Sequence, residues 1–255
     1  MGNLQEEVLA LRDMIKDSDN IVFFGGAGVS TESNIPDFRS SDGLFSKKCL
    51  FSFLLNRHFS PEQLVSHSFY IHYPEDFYEF YKDKLIYQDA RPNKAHEALA
   101  KLEEIGKLKT VVTQNIDGLH QMAGSKNVLE LHGSVNSNTC QTCGYNMNLK
   151  EFLDLKGPVP KCPKCGGSVK PDVVLYEESL DDETIMKTIK AISQADMLIV
   201  GGTSLVVYPA AGFLDYFKGR YIVLINKAET SYDKRADLVI NESIGSVLDQ
   251  VVKEL

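Results

Sequence analysis

The sequence has no excess of basic residues. It contains 27 lysines and arginines against 35 aspartates and glutamates in 255 residues, which gives a net charge of −8. A chain with this balance has no general field that attracts nucleic acid or an anionic membrane. We therefore expect neither partner, and basic peptides fit the sign of the charge better.

We expect neither a secretory signal in the first residues nor a membrane span in the one long uncharged segment. Residues 1–7 show neither the basic start nor the apolar stretch of a secretory signal. Residues 197–214 carry no charge and have the length of a membrane span. Glycines, Thr203, Ser204 and Pro209 nevertheless divide them into a predicted strand, turn and helix. We interpret this segment as buried core.

Cysteine spacing argues against a disulfide framework. Four of the five cysteines form two C-x-x-C pairs, which are Cys140 with Cys143 and Cys162 with Cys165. This spacing is typical of a zinc site with four thiolate ligands and no open position for water, so we expect a structural zinc. Such a site indicates a reducing compartment, and we expect a cytoplasmic protein. We interpret Cys49 as a small buried apolar residue.

A glycine turn follows the first apolar run, residues 21–24, which predicts a buried strand. Gly26 and Gly28 allow a tight turn and close approach to a ligand. Ser30 or Thr31 could open a helix whose free N–H groups face a pyrophosphate. Thr31 stands where the dinucleotide fingerprint has its third glycine, so the turn alone is weak evidence for nucleotide binding. An ordinary nicotinamide dehydrogenase stays an alternative at this point.

Apolar strands alternate with helical patterns along most of the chain, which argues for an α/β fold with a parallel, doubly wound sheet. Predicted strands cover residues 21–24, 109–113, 128–131, 197–200, 221–225 and 238–240, and predicted helices include 4–17, 93–105 and 208–217. Ala95, Leu99, Leu102 and Ile105 are predicted to face inward. Two segments interrupt the alternation. One is the aromatic-rich stretch 41–90, with prolines at plausible helix starts, and the other is the cysteine-bearing stretch 136–170.

Polar motifs follow the predicted strands at their carboxyl ends. Open α/β sheets bind ligands at that edge, so residues 25–39, 114–117, 202–204 and 226 are expected to converge on one crevice with His132. A lone histidine is usually structural. His132 shares its edge with an asparagine, an aspartate and a glycine loop, which favours a role as general base. We interpret His120 as structural, as a cap of its helix, and Glu32, early in a helix, as a complement to the helix dipole.

Several motifs occur in an order known from one family. They are GAGVSTESNIPDFRS at 26–40, TQNIDGLH at 113–120, LHGS at 131–134, the two cysteine pairs, GTSL at 202–205 and Ile225-Asn226. Over residues 20–245 the chain resembles the sirtuin family of NAD-dependent protein lysine deacylases. The resemblance implies transfer of an acetyl group from acetyl-lysine to ADP-ribose, with release of nicotinamide, O-acetyl-ADP-ribose and free lysine. It also implies a Rossmann-like NAD-binding domain from 1–40, 91–135 and 171–255, and a small domain from the two interruptions.

The resemblance implies residue roles as well. His132 matches the general base that deprotonates a ribose hydroxyl, Asn115 orders the nicotinamide ribose, and Asp117 holds the carboxamide. The implied cofactor-binding positions are Ala27, Gly28, Thr31, Asp37, Phe38, Arg39, Gln114, Asn115, Ile116, Asp117, Gly202, Thr203, Ser204, Asn226 and Ile244. The implied substrate-binding positions, which receive an acetyl-lysine peptide as an added strand, are Val173, Val174, Leu175, Tyr176 and Val206. We expect a monomer.

The chain departs from the family pattern at three places. Asn34 and Glu177 replace customary glycines, and the added acid at Glu177 could favour basic flanking residues in the peptide. Family members that remove acidic acyl groups carry a Tyr-x-x-Arg pair, where we align Phe80-Tyr81-Lys82-Asp83. Because arginine is missing and Asp83 would repel a succinyl carboxylate, we expect acetyl and other uncharged acyl groups as substrates.

Other functions stay open at this point. Mono-ADP-ribosyl transfer uses the same bond cleavage, although His132 and Asn115 together favour deacylation. A zinc-stabilised NAD-binding sensor without turnover belongs to another class. A zinc module could also bind nucleic acid, but no arginine cluster accompanies this one. A dehydrogenase is the weakest alternative, because nothing resembles a hydride-transfer site.

Overall fold

The computed structural model describes residues 4–38, 40, 43–44 and 59–255. Its strands are β1 (Ile21–Gly25), β2 (Leu108–Thr113), β3 (Val128–Glu130), β4 (Gly133–Cys140), β5 (Asn146–Asn148), β6 (Val169–Val173), β7 (Met197–Gly201), β8 (Tyr221–Ile225) and β9 (Leu238–Ile240). Its α-helices are α1 (Leu4–Lys16), α2 (Pro61–Leu64), α3 (His67–His72), α4 (Pro74–Lys84), α5 (Lys94–Glu104), α6 (Leu119–Ala123), α7 (Leu149–Leu153), α8 (Asp182–Gln194) and α9 (Ile244–Lys253). Arg39, Cys49 and His58 lie outside the described residues.

The main sheet has six parallel strands in the order β3-β2-β1-β7-β8-β9. Alternate strand residues face opposite layers, so Phe23 packs with α1, α5 and α9 while Val22 and Phe24 pack on the other face. Helices cover both faces, which confirms the predicted doubly wound, Rossmann-like sheet. Residues 197–214 form β7, a turn and a 3₁₀ helix, as predicted except for the helix type.

A second unit combines helices α2 to α4 with a three-stranded sheet in the order β5-β4-β6, whose pairs are antiparallel. Its aromatic core includes Phe77, Tyr78, Phe80 and Tyr81, all fully buried. Pro61 and Pro74 occupy first-turn positions of their helices, as predicted. The small sheet begins before residue 136 and ends after residue 170, so it crosses both predicted domain limits. The division into two domains stays a prediction.

Three local expectations were wrong. The helix predicted after the glycine turn is a pair of 3₁₀ turns, Ala27–Val29 and Thr31–Ser33, because Asn34 adopts a left-handed φ of 62° and ends the second turn. The helix predicted over 208–217 is a 3₁₀ helix, Ala210–Tyr216. Ile105 is 46% exposed, since it caps the end of α5 just before the chain reverses at Gly106.

Within residues 4–38 and 59–255, no helix has the length and apolar character needed to cross a membrane. The apolar faces of α1, α5 and α9 are covered by the main sheet instead. The uncharged segment 197–214 is therefore accounted for by core packing.

His120, which was expected to be structural, forms a buried pair with His96 beside β1. The rings of His96 and His120 have centroids 4.7 Å apart, and Phe23 packs on His120. His120 is not a helix cap, whereas His96 helps Asn93 cap α5. Burial lowers the pKa of His96 to about 4 and that of His120 to about 3. Both imidazoles are thus neutral in the folded protein at neutral pH.

This pair should make the fold acid-sensitive. Between pH 6.5 and about 4 the unfolded chain protonates these imidazoles while the folded chain does not, so stability falls as pH falls through that window. The loss is about 1.4 kcal/mol per pH unit for each histidine. Urea unfolding between pH 7 and 5 should show a shallower decline for His120→Gln than for wild type. The exposed His72→Gln variant is the control, and equal slopes for all three proteins contradict the expectation.

Candidate active site

A cavity of about 1120 Å³ lies at the carboxyl edge of the main sheet and continues between the sheet and the small unit. It is lined by the glycine turn after β1, the segment after β2, His132, the segment after β7 and Asn226 after β8. The predicted convergence of these motifs on one crevice is therefore present. Every predicted nucleotide-site residue among the described ones lines this cavity, while Arg39 lies outside the described residues.

The floor of the cavity depends on two glycines in direct backbone contact. The N–H of Gly28 donates to the carbonyl of Gly202 at 2.8 Å. A Cβ added at Gly28 would lie 2.8 Å from the Gly202 Cα, and Gly202 itself has a left-handed φ of 59°. No side chain fits between the two turns, so backbone alone faces the space above them. Such a surface suits the close approach of a nucleotide phosphate.

A hydrogen-bonded trio joins the glycine turn to the segment after β2. The Ser30 hydroxyl donates to Asp117 Oδ2 at 2.7 Å and accepts from Asn115 Nδ2 at 3.1 Å. Asp117 Oδ1 in turn accepts the Leu119 N–H at the start of α6. This network fixes both predicted side chains in the cavity. Ser30 was expected only as a helix opener, and its place in the GAGVS motif was the available signal for this larger role.

A hydrogen bond to the backbone sets the orientation of the His132 ring. Its Nδ1 lies 2.9 Å from the carbonyl oxygen of Gln114, which assigns the ring proton to Nδ1 and leaves Nε2 as an acceptor. Burial lowers the pKa of His132, so the ring is neutral at neutral pH. Gly133 follows with a left-handed φ of 73°, and a Cβ there would lie 1.9 Å from the Asp172 carbonyl oxygen. The ring therefore has a fixed tautomer, with Nε2 as its acceptor atom.

The far end of the cavity is formed by the segments after β7 and β8. Gln114 Nε2 donates to Thr203 Oγ1 at 3.1 Å, which ties the end of β2 to the end of β7. The Asn226 N–H donates to the Ile240 carbonyl, and its side chain donates to the Ala228 carbonyl at 2.7 Å. Ile244 lines the same end as the first residue of α9.

Glu32 holds that first turn of α9 in place. Its Oε1 accepts from the Ser243 hydroxyl at 2.6 Å and from the Gly245 N–H at 3.0 Å. The carboxylate therefore complements a helix N-terminus, as predicted, but the helix is the last one in the chain rather than its own. The reason is that the segment around Glu32 forms only a 3₁₀ turn.

The predicted substrate segment borders the opposite wall. Residues 173–176 all line the cavity, and the Val174 N–H donates to the His132 carbonyl at 2.9 Å. Across the cavity, Val206 is 57% exposed and its neighbours Val207 and Tyr208 line the wall instead. The role of Val206 stays a prediction. Leu205, with a φ of 55°, is a strained residue beside it.

The four predicted zinc ligands lie together at the end of the small sheet. Their sulfur atoms all fall within 4.8 Å of one another, with 3.4 Å between Cys140 and Cys165 and 3.7 Å between Cys143 and Cys162. Sulfurs bound at about 2.3 Å to one tetrahedral zinc stand about 3.8 Å apart, so the cluster fits this ion. Four protein ligands fill its coordination, which confirms a structural rather than a catalytic site.

Comparison with known proteins decides the family. The Sir2 family model matches residues 26–209, well over half of the chain. The chain belongs to the Sir2 family. The NAD-dependent protein deacetylase of Clostridium perfringens (strain 13 / Type A) is 64% identical to this Sir2-family chain over 250 residues, covering 98% of the chain and 100% of the relative.

Solved Sir2 structures agree over nearly the whole length. One, with a deacetylated p53 peptide and 3′-O-acetyl ADP-ribose, has a TM-score of 0.87 at 35% identity and covers 97% of this chain and 98% of its own. Another, bound to a propionylated peptide, has a TM-score of 0.83 at 34% identity and covers 97% and 98%. The sirtuin resemblance predicted from the motifs is thus confirmed.

Removing zinc from this Sir2-family protein should destabilise the small unit. Cys140 and Cys162 are buried in the same core as Met147 and Phe152, and without the metal the link between the end of β4 and the loop before β6 is lost. We expect chelation to lower the unfolding temperature by about 10 °C. The measurement is thermal circular dichroism with the metal content determined in parallel, and zinc re-addition is the control. An unchanged unfolding temperature in metal-free protein contradicts the structural assignment.

Proposed function

We propose that this chain is an NAD-dependent protein lysine deacetylase. With water, it converts acetyl-lysine and NAD to free lysine, nicotinamide and O-acetyl-ADP-ribose. The observation that carries the proposal is the neutral ring of His132, whose Nδ1 donates to the Gln114 carbonyl. This ring lines the same cavity as the glycine turn and the peptide segment. The family, and the deacetylase that is 64% identical, support it.

NAD supplies ADP-ribose as the acyl acceptor and nicotinamide as the leaving group. The backbone turns at Gly28 and Gly202 suit the phosphates because no side chain stands between ligand and backbone. A Cβ at either glycine would clash with the other turn. We assign the remaining nucleotide contacts to Ala27, Thr31, Asp37, Phe38, Arg39, Gln114, Thr203, Ser204, Asn226 and Ile244. The backbone around Ile116, together with Asp117, is assigned to the nicotinamide carboxamide.

Each polar side chain in the trio then has a separate task. Asn115 positions the ribose that carries nicotinamide, and Ser30 holds Asn115 and Asp117 in register. His132 Nε2 accepts the proton of a ribose hydroxyl as a general base. The neutral ring is ready for this step because burial keeps its pKa low. Shielding of the site from bulk water favours attack by the acyl oxygen over hydrolysis of the nicotinamide bond, although the overall reaction still consumes one water.

The acyl group is proposed to be neutral and short. Apolar cavity residues Phe38, Leu44, Val65, Ile116 and Val135 belong to or pack on the core of the small unit. A succinyl carboxylate placed among them would lose its hydration. Asp83 does not carry this argument, because its side chain is exposed, pairs with Lys84 at 2.9 Å and does not itself line the cavity. The propionylated peptide in a Sir2 neighbour supports the size class.

We also propose that the enzyme acts in the cytoplasm as a monomer on acetylated proteins, without nucleic acid or a membrane. A zinc site of four thiolates suits a reducing compartment. The net charge of −8 supports the absence of a polyanionic partner.

The His132→Ala variant tests the central assignment. We expect deacetylation of an acetylated peptide in the presence of NAD to fall by about 10²- to 10⁴-fold, because the general base is lost. Peptide and nucleotide products are measured by mass spectrometry, with calorimetric NAD binding and thermal unfolding as checks on the fold. His72→Ala, an exposed histidine on α3, is the matched control. Full activity of His132→Ala refutes the base role, and ADP-ribosylated protein as the main product would favour transferase chemistry.

The acyl preference has its own test. We expect kcat/KM for acetyl- and propionyl-peptides to exceed that for a succinyl-peptide of the same sequence by at least about tenfold, since burying a carboxylate costs more than about 1.4 kcal/mol. Lys84 lines the cavity and is the cation to examine for residual desuccinylation. Lys84→Ala should abolish the remaining desuccinylation and leave deacetylation intact. Comparable rates for succinyl and acetyl substrates overturn the proposal.

A further inference from the structure

The substrate segment is bonded along its outer side to the first turn of α3. The Tyr176 N–H donates to the Val65 carbonyl at 3.0 Å, and the His67 N–H donates to the Tyr176 carbonyl at 3.0 Å. These two bonds form a short parallel bridge between Tyr176 and Ser66. Val65 and Tyr176 both line the cavity, so this bridge sets the spacing of one of its walls.

Glu177 adds a side-chain bond at the same junction. Its Oε2 accepts the backbone N–H of Ser68 at 2.8 Å, one of the free amides at the start of α3. Bonds from the side chain and backbone of Ser68 hold the pKa of Glu177 below its usual value. Glu177 also adopts a left-handed φ of 75°, a conformation that glycine takes more easily. A strained non-glycine residue persists only where surrounding bonds compensate for the strain.

The next residue secures the base of the same segment. Glu178 is half-buried, and its carboxylate bonds to Lys170 Nζ at 3.0 Å, to His67 Nδ1 at 2.8 Å and to the Leu175 N–H at 2.9 Å. Lys170 also donates to the Val173 carbonyl. Lys170 and Leu175 are partners on the segment's own side, whereas His67 is the first residue of α3. Glu178 therefore anchors the base of the segment and also reaches α3, while the Glu177 carboxylate bonds to Ser68 one residue further along that helix.

We propose that Glu177 is a positioning residue for the acyl-lysine peptide, because its carboxylate ties the substrate segment to α3 and fixes the wall formed by Val65 and Tyr176. The proposal rests on the proposed deacetylase function. The effect of Glu177 on peptide binding is assigned to the hydrogen bond that its carboxylate accepts from the Ser68 N–H, not to attraction between its negative charge and the peptide. The loss of the tie should therefore weaken peptide capture and leave NAD capture and the chemical step unaffected.

The charge itself offers a competing explanation. Glu177 is exposed and could attract basic residues beside the acyl-lysine, as the sequence suggested. Substitution by glutamine separates the two explanations, because its side-chain oxygen can still accept from the Ser68 N–H while its charge is zero. Substitution by alanine removes both properties and keeps a side chain at the left-handed position. Substitution by glycine removes both and relieves the strain.

The experiment measures KM for peptide, KM for NAD and kcat for Glu177→Gln, Glu177→Ala and Glu177→Gly, with peptides that carry basic or neutral flanking residues. We expect the alanine and glycine variants to raise the peptide KM about three- to tenfold, with kcat and the NAD KM within about twofold of wild type. Glutamine should stay within about twofold for both peptides. Glu183→Ala, on the exposed side of α8 and paired only with Lys187 in the same helix, is the matched control.

Amide exchange supplies a readout that does not depend on turnover. Without the acceptor, the Ser68 N–H should exchange faster with solvent in the alanine and glycine variants, whereas glutamine preserves its protection. If the wild type shows no NAD-dependent deacetylation while the exchange pattern holds, the proposed function fails but the tie stands. The proposal is overturned if glutamine behaves as alanine does, if only basic peptides lose affinity, or if all variants match wild type.

Discussion

The hydrogen bond between His132 Nδ1 and the Gln114 carbonyl oxygen is the interaction on which the rest of the site depends. It fixes the tautomer of the ring, and it joins the segment after β2 to the strand that begins the small unit. The Gln114 side chain extends the connection to Thr203 after β7. One residue thus links the proposed base, the nucleotide turns and the small sheet. Because these parts come from distant stretches of the chain, the site exists only when the parallel sheet has formed.

The small unit contributes walls and rigidity instead of reactive groups. Its aromatic core and its zinc ligands share one cluster, so metal binding and side-chain packing stabilise the same few elements. Strand β4 starts directly after His132 and β6 ends directly before Val174. The small sheet therefore places His132, the proposed base, next to the proposed substrate segment, and the bond from the Val174 N–H to the His132 carbonyl joins them. Structural zinc supports catalysis in this indirect sense.

The sheet and most of the residues that line the cavity could be predicted from sequence, because short apolar strands and the polar motifs after them are local signals. The strand β4, Gly133–Cys140, could not, since it is polar and pairs through backbone with residues far along the chain. The hydrogen bonds of Ser30 and Glu32 were not predicted either, for a related reason. Their partners, Asp117 and Ser243, are distant in sequence, and no periodicity or spacing encodes such contacts. The 3₁₀ turns before Asn34 and the 3₁₀ helix after Pro209 reflect backbone detail that residue preferences alone did not resolve.

The bond from Glu32 to the start of α9 gives the C-terminal helix a second importance. It covers the main sheet, and it also braces the glycine turn at the rim of the cavity. A shortened chain that ends before Ser243 would lose that brace together with Ile244 and the buried residues Val247, Leu248 and Val251, while retaining every residue assigned to catalysis. The last helix thus belongs to the core and to the nucleotide end of the site at once, so fusion partners and affinity tags are better appended beyond Leu255 than substituted for it.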